Sequence, residues 1–185
     1  MAATSVDMDH EAILRSQQFT DFKERIFNFL DMKTEQERDH PDNPCFEILF
    51  DIVEGTDEVT FDFPHMRLSK DIVLAAILLA KWKNKKVVLC EPTSYYSMQA
   101  VRFARACKVN EPGEPGTLTI CVPGMLDASV FGEADVIVHH GRDFKQFLPT
   151  SAMRQRHVIQ IFAGEDVPCD SRSLSSIMCS YASDE

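Results

Sequence analysis

The chain has 185 residues, 44% of them hydrophobic and 26% charged, which is typical of one globular domain with a substantial core. Its longest apolar run, residues 72–80, is about half as long as a membrane span, and its acidic N-terminus lacks the features of a secretory signal. The formal net charge of −10 argues against bulk binding of nucleic acid, and we expect a soluble, intracellular protein of the cytoplasm or nucleus.

Positive charge is concentrated in one part of the sequence. Residues 1–65 carry 16 acidic and 5 basic side chains, residues 66–110 carry 2 and 9, and residues 111–185 carry 11 and 5. An anionic ligand is therefore expected to bind in the middle segment. The six cysteines are widely spaced without a CxxC motif, which favours free thiols in a reducing compartment.

Residues 1–55 are predicted to form an acidic helical extension. Residues 9–32 have the apolar spacing of an amphipathic helix, whose aromatic face would either pack within the chain or bind a partner. The polar stretch 33–44 is predicted to be a loop or linker, and residues 45–54 a helix, with a strand as the alternative. The apolar positions that carry these predictions are Phe19, Phe22, Ile26, Leu30, Phe46, Leu49, Phe50 and Val53.

From about residue 58, predicted strands alternate with predicted helices. The strand-like segments are EVTFDF, KVVLCE, TLTICV, DVIVHH and HVIQIF. The helix-like segments are DIVLAAILLAKWK, SYYSMQAVRFARACKV with Met98, Val101, Phe103 and Ala106 mostly on one side, and residues 171–181. This alternation predicts an α/β domain over residues 56–185, with a mainly parallel sheet flanked by helices. Ligands of such sheets bind at the carboxyl ends of the strands.

In their order, these segments resemble the first RecA-like domain of superfamily 1 helicases of the nonsense-mediated-decay and senataxin type. PHMRLSKD stands where the family has the phosphate loop GPPGTGKT, and LCEPTSYYSMQ stands where it has the nucleic-acid-contacting motif CAPSNxAxD. ADVIVHHG and RHVIQIFAGEDVP match the family strands ADVIxxT and HVIIDEAGQxxEP, the second of which binds Mg²⁺. The resemblance covers roughly residues 58–170 and implies a degenerate RecA-like, P-loop NTPase-like fold.

The phosphate-loop match departs from the family pattern. Lys70 matches the phosphate-binding lysine and would be the remnant of a nucleotide site. The family glycines are needed because their amides wrap the phosphates, and an Asp in place of the Mg²⁺-binding hydroxyl adds negative charge where phosphates would lie. The replacements are Pro64, Arg67 and Ser69 for the glycines and Asp71 for the hydroxyl residue.

The match to the metal-binding strand departs as well. Ile161 and Phe162 stand where the family has the Asp-Glu pair that holds Mg²⁺ and orients water, and neither side chain can do this. The family also encloses its nucleotide between two RecA-like domains, and 185 residues supply one. The resemblance therefore implies no catalytic residue and no ATP or Mg²⁺ cofactor.

Candidate nucleic-acid contacts follow the second predicted strand. Thr93, Ser94 and Tyr95 come directly after this strand, and Arg102 and Arg105 lie on the next helix. Hydroxyl groups, a helix N-terminus and arginines are the groups that contact nucleic-acid phosphates. Ordinary N-capping by Thr93 or Ser94 is the structural alternative.

Several other groups have a structural and a functional interpretation. Lys70 is a solvated lysine at a helix start or an anion-binding remnant, and the lysines around Trp82 are a solvated helix end or a basic patch. Adjacent His139 and His140 point to opposite faces of a strand, so no metal site is expected. Glu165 and Asp166 form a polar turn or an acid/base pair. The lysines are Lys81, Lys83, Lys85 and Lys86.

Three functions remain open from the sequence. The first is a non-catalytic helicase-like domain, a pseudo-NTPase that acts as an interaction module in RNA or DNA metabolism, with protein partners. The second is a weak single-stranded nucleic-acid binder without ATP turnover. The third is a small-molecule enzyme on a doubly wound fold, using the strand ends around Glu91 or Gly164; sequence assigns no histidine to Cys90 as a base for nucleophilic chemistry.

Overall fold

The chain divides into two compact units, residues 1–51 and 52–185. The predicted division into an acidic helical extension over residues 1–55 and a domain over residues 56–185 stays a prediction. The computed structural model describes residues 4–41, 43–55, 60–63, 69–114, 116–122, 128–140 and 159–163.

The first unit is helical. It contains α1 (Thr4–Phe29), α2 (Glu35–Arg38) and most of α3 (Phe46–Glu54), so residues 45–54 form a helix rather than the alternative strand. The predicted aromatic face of α1 packs against α3 through edge-to-face ring pairs, which add specific attraction to the buried area. The ring centroids lie 5.5 Å apart for Phe19–Phe50, 5.3 Å for Phe22–Phe50 and 5.3 Å for Phe27–Phe46.

The stretch predicted to be a loop contains the short helix α2. Thr34 is its N-cap and accepts a hydrogen bond from the Glu37 backbone N–H, while the Glu37 carboxylate accepts one from the Thr34 backbone N–H at 2.7 Å. This capping box satisfies two amides that a helix start leaves open. It also lowers the pKa of Glu37, because backbone and side-chain hydrogen bonds from Thr34 favour the carboxylate.

The second unit is an α/β structure built on a five-stranded parallel sheet. Every described strand pair is parallel, which agrees with the alternation of strands and helices in the sequence. The strand order is β1-β5-β4-β2-β3. The strands are β1 (Thr60–Phe63), β2 (Lys86–Cys90), β3 (Thr117–Cys121), β4 (Val136–His140) and β5 (Ile159–Ala163), and the helices are α4 (Ser69–Lys83), α5 (Ser94–Ala106) and α6 (Ala128–Gly132).

Helices cover both faces of the sheet. The chain moves in one direction from β1 to β2 to β3 and then turns back to β4, so right-handed crossovers put α4 and α5 on one face and α6 on the other. Side-chain contacts agree with this. Phe131 of α6 packs against Val88, Cys90 and Ile137, while Tyr96 of α5 contacts His140 on the opposite face of β4.

The core of this unit is built from continuous apolar runs. Residues 72–80 of α4 are all buried, and a helix that is apolar on all sides needs neighbours on all sides. Helix α4 packs against β2, β3, β4 and α5. In β2 and β4 the residues from Val87 and Val136 onward are buried on both faces, as expected for central strands of a parallel sheet.

The buried side of α5 differs from the predicted one. Met98 of α5 was expected on the side of Phe103 but is 49% exposed, and the buried side carries Ala100, Phe103 and Ala104 instead. The expected side was wrong because Met98 lies about 200° around the helix from Ala100, at about 100° per residue. The predicted terminal helix over residues 171–181 lies outside the described residues.

Gly116 is needed where the chain enters β3. A Cβ atom at this position would lie 1.9 Å from the Ala80 carbonyl oxygen, which is backbone of α4 and cannot rotate away. We expect Gly116→Ala to lower the free energy of unfolding by about 2–3 kcal/mol, because overpacking forces the backbone apart. Chemical denaturation measures this change.

The matched control is Gly132→Ala at the end of α6, where a Cβ atom meets nothing within 4 Å. We expect this control to change the free energy of unfolding by less than about 1 kcal/mol. Equal losses in the two variants would contradict the close approach of β3 to α4.

Candidate functional site at the carboxyl edge of the sheet

The topology creates a crevice between β2 and β4. These strands are neighbours, but the connection that leaves β2 leads to β3 on one side, and the connection that leaves β4 leads to β5 on the other. The two connections therefore diverge at the carboxyl ends of the strands. Open α/β sheets bind their ligands at this kind of switch point.

A buried acid and a buried histidine meet at this switch point. Glu91 follows β2 directly, and His140 is the last residue of β4; one oxygen of the Glu91 carboxylate, Oε2, lies 2.6 Å from His140 Nδ1. Glu91 is 0% exposed and His140 is 5% exposed. The second carboxylate oxygen, Oε1, is buried and has no hydrogen-bond partner among the described residues. Buried carboxylate oxygens are normally hydrogen-bonded, so this unsatisfied oxygen marks the position as a candidate functional site.

Helix α5 begins beside this pair. Thr93 is its N-cap and accepts a hydrogen bond from the Tyr96 backbone N–H at 3.4 Å, which confirms the predicted capping role. The Tyr96 ring packs edge-on against the His140 ring with centroids 5.5 Å apart, and Tyr95 packs against Tyr96 at 5.8 Å. The aromatic rings hold the His140 imidazole in place on the side that faces α5.

A second row of reactive side chains crosses the other face of the sheet. Cys121 of β3, Cys90 of β2 and His139 of β4 occupy equivalent positions on three neighbouring strands. The sulfur atoms of Cys90 and Cys121 lie 3.7 Å apart. This row was missed because its members come together only through the strand order, so the sequence could assign Cys90 no histidine although His139 is its register partner.

The structure separates the predicted nucleic-acid residues into two groups. Thr93, Ser94 and Tyr95 lie at the start of α5, next to the switch point. Arg102 and Arg105 are eight and eleven residues beyond Ser94, which places them about 12 and 16 Å along the helix axis at about 1.5 Å per residue. The five residues therefore cannot bind a single phosphate group together, and the predicted cluster becomes an extended surface.

The structure buries Lys70, which the interpretation as a solvated lysine did not predict. It is the second residue of α4, but it is only 6% exposed, and its neighbour Asp71 is 3% exposed. The interpretation as a solvated lysine was therefore wrong. A buried ammonium group is tolerated only where its surroundings compensate the lost hydration.

The lysines around Trp82 have structural partners. Lys81 Nζ donates to the backbone carbonyl oxygens of Cys107 and Lys108 at 3.1 and 3.0 Å, which ties the end of α4 to the segment after α5. Lys83 pairs with Glu54, and Lys86 pairs with Glu133 at 3.5 Å. These contacts favour the structural interpretation of the cluster over a basic patch for nucleic acid.

The remaining candidates from the sequence are the adjacent histidines of β4, a metal site and the segment after β5. His139 and His140 lie on opposite faces of β4, as their adjacency in the strand requires. No group of three or more His, Cys, Asp or Glu side chains in the described part of the chain is arranged to hold a metal ion. Glu165 and Asp166 lie outside the described residues, as does Gly164.

The fold and this edge define an α/β domain with an open parallel sheet and a buried polar pair at its switch point. Comparison of the chain with models of protein families, with curated proteins and with solved structures finds no match in any of the three. Among the helices that the structure describes, none is long and apolar enough to cross a membrane. Localisation in the cytoplasm or nucleus stays a prediction.

Replacement of Glu91 tests the energetic weight of the buried pair. We expect Glu91→Ala to lower the free energy of unfolding by about 2–4 kcal/mol, since the variant leaves the His140 ring buried without the group it bonds. The control Glu133→Ala removes an exposed pair with Lys86 and is expected to cost less than about 0.5 kcal/mol. Chemical denaturation of both variants measures the difference, and similar losses would show that the pair contributes little.

Proposed function

We propose that the chain is a helicase-like α/β domain that does not hydrolyse nucleotide and acts as an interaction module in RNA or DNA metabolism. The arrangement of the resembling segments supports this. The Lys70 segment follows β1 and the segment with Ile161 forms β5, and these strands are direct neighbours in the sheet. The two stretches that the resemblance assigns to phosphate and to metal therefore belong to adjacent strands.

The environment of these residues supports the loss of turnover. Residues 64–71 contain no glycine, so this segment of the sequence lacks the residues that let backbone amides wrap a triphosphate. Lys70 is buried, with 6% of its surface exposed. Ile161, where the family has a metal-binding carboxylate, is 1% exposed and is part of the hydrophobic core. Each position serves the stability of the sheet rather than phosphoryl transfer.

One face of α5 carries the binding function that we propose. Tyr95, Met98, Arg102 and Arg105 follow one another at steps of three, four and three residues, so they form one stripe along the helix, here called the α5 stripe. All four side chains are exposed, Tyr95 to 47% and Met98 to 49%. Helix α5 contains no acidic residue. This exposed stripe is the observation that carries the proposal.

The chemistry of the α5 stripe fits a single strand of nucleic acid. An exposed tyrosine ring offers a surface on which a base stacks, and arginines contact the phosphates of the strand. Arg102 and Arg105 form no ion pair with any described residue, so binding breaks no such contact. The stripe runs about 15 Å from Tyr95 to Arg105, at about 1.5 Å per residue, which lets it follow an extended backbone rather than one phosphate.

Charge reversal on the α5 stripe tests this binding. We expect Arg102→Glu with Arg105→Glu to weaken binding of a single-stranded oligonucleotide by about tenfold or more at low salt, because two phosphate contacts become repulsive. Fluorescence anisotropy with a labelled RNA or DNA strand measures the dissociation constant.

A matched control carries the same change in net charge in the first unit. Arg15→Glu with Arg25→Glu alters two exposed side chains of α1 and is expected to weaken binding less than threefold, about 0.6 kcal/mol. Absence of binding by the unmodified protein at low salt, or equal losses in the two double variants, would contradict the assigned surface.

The absence of turnover has a separate test. With Mg²⁺ and ATP, we expect phosphate release by the protein to equal that of a Lys70→Met variant, which keeps a side chain of similar length at the buried position. A titration with a fluorescent ATP analogue, with and without Mg²⁺, is expected to show no metal-dependent gain in affinity. Turnover that Lys70→Met abolishes would contradict the proposal.

The Glu91–His140 pair favours a second candidate, a small-molecule site on the same sheet. A carboxylate held against an imidazole at a buried switch point is a common arrangement for acid/base chemistry, and the buried Oε1 has no hydrogen-bond partner among the described residues. Native mass spectrometry distinguishes this candidate, since a small molecule retained by the protein and lost in Glu91→Gln would place the function at the crevice rather than on the α5 stripe.

A further inference from the structure

Two cysteines end neighbouring strands in exact register. Cys90 is the last residue of β2 and Cys121 is the last residue of β3, and they are direct partners in the parallel ladder. Side chains of register partners project from the same face of a sheet. Neighbouring strands are about 4.8 Å apart, which lies within the range of Cα separations that a disulfide spans, about 4.4–6.8 Å. The two sulfur atoms are 3.7 Å apart as free thiols.

The two thiols differ in acidity and in access. Cys121 is half-buried, and the hydrogen bond that it shares with Cys90 lowers its pKa, although burial and the charge of Glu91 act in the opposite direction. Cys90 is 1% exposed, and the same hydrogen bond and its burial raise its pKa. Peroxide reaches the half-buried Cys121 sulfur more readily than the 1% exposed Cys90 sulfur, so Cys121 is the nucleophile of the two and Cys90 the partner that reacts second.

The other described cysteines lack this combination. Burial raises the pKa of Cys107 to about 12, which leaves almost no thiolate near neutral pH. Cys45 has Glu47 as its side-chain neighbour, with the sulfur 3.6 Å from a carboxylate oxygen. Neither Cys45 nor Cys107 lies in a described strand, so neither has a cysteine as its partner on a neighbouring strand. Among the cysteines that the structure describes, the pair Cys90–Cys121 is therefore the site suited to oxidation.

We propose that Cys90 and Cys121 form a redox-active dithiol that is oxidised by peroxide to an intramolecular disulfide. The Cys121 thiolate attacks one peroxide oxygen, the O–O bond breaks, hydroxide leaves, and Cys121 becomes a sulfenic acid. The Cys90 sulfur then attacks the Cys121 sulfur; the S–O bond breaks, and the Cys90 proton and the leaving hydroxide form water. Peroxide gains two electrons, and the two thiols together lose two.

The disulfide would change how β3 is held. Among the strands that the structure describes, β3 is at the edge of the sheet and pairs with β2 alone. A covalent bond between the ends of β2 and β3 joins the edge strand to the central one and closes a long loop that contains α5. Cross-links that close long loops restrict the unfolded chain and stabilise the folded one. Oxidation is therefore expected to raise the melting temperature of the second unit.

A variant that retains only this pair tests the proposal. In a chain in which Cys45, Cys107, Cys169 and Cys179 are replaced by serine, we expect hydrogen peroxide to remove both alkylatable thiols and to lower the mass by two hydrogen atoms. Dithiothreitol is expected to restore both thiols. In the further Cys90→Ser variant, dimedone is expected to label Cys121, because the sulfenic acid has no resolving thiol.

Peptide mapping of the unmodified protein keeps the test independent of the variants' folding. After peroxide treatment, we expect the proteolytic peptides that contain Cys90 and Cys121 to be joined within one monomer. A free-thiol count that does not fall after oxidation, or a disulfide that forms only between chains, would overturn the proposal. Nucleic-acid binding by the α5 stripe does not enter any of these readouts, so the two proposals fail separately.

Discussion

The chain turns back after β3, and this change of direction brings β4 beside β2 and creates the switch point at which Glu91 and His140 meet. After β3 the chain crosses back past β2, and β4 pairs with β2 on the side away from β3, which leaves the carboxyl ends of β2 and β4 flanked by connections that diverge. The same return places α6 on the face opposite α5. Both faces of β2 and β4 are thereby covered, and their continuous apolar sequences become stable in the middle of the sheet.

Two polar residues are buried at the carboxyl edge of the sheet, and burying them has a cost that an apolar pair would not have. Glu91 follows the apolar run of residues 87–90, His140 follows residues 136–138 and His139, and both are buried with them. A buried carboxylate costs several kcal/mol unless it is bonded, and one of its oxygens has His140 while the other has no described partner. Apolar residues at this position would avoid the free-energy cost of removing a charge from water. The polar pair is thus better explained by a role at the crevice than by the stability of the sheet.

The elements of the fold were predictable where the apolar pattern was long and regular. All five strands and helices α1, α3, α4 and α5 occur where spacing predicted them, since their burial depends on local periodicity. Helix α2 was missed although its Thr34-x-x-Glu37 capping box is visible in the sequence. Helix α6 spans five residues, too few for a period to show. Met98 was misplaced because apolar character does not by itself fix which side of a helix is buried.

The candidate sites were less predictable because they depend on strand order. Thr93, Ser94 and Tyr95 could be expected at a strand end from the sequence. The contacts Glu91–His140 and Cys90–Cys121 join residues 49 and 31 positions apart, and each requires that particular strands be neighbours in a particular register. Alternation of strands and helices predicts a parallel sheet but leaves the order of its strands open. Register and order are properties of the packed sheet, so these contacts had no local signal.

The overall charge of the protein and the charge of the α5 stripe act in opposite directions on a nucleic-acid strand. The chain carries a net charge of −10, which repels phosphates at long range, whereas Arg102 and Arg105 attract them at contact. Salt screens interactions between charges that are more than about 8 Å apart at physiological ionic strength. The repulsion from distant acidic residues is therefore weakened more than the attraction at the arginine contacts. Binding by two arginines and one stacking ring is therefore limited to modest affinity. The proposed module would therefore suit a strand that is presented by a larger assembly rather than captured from solution.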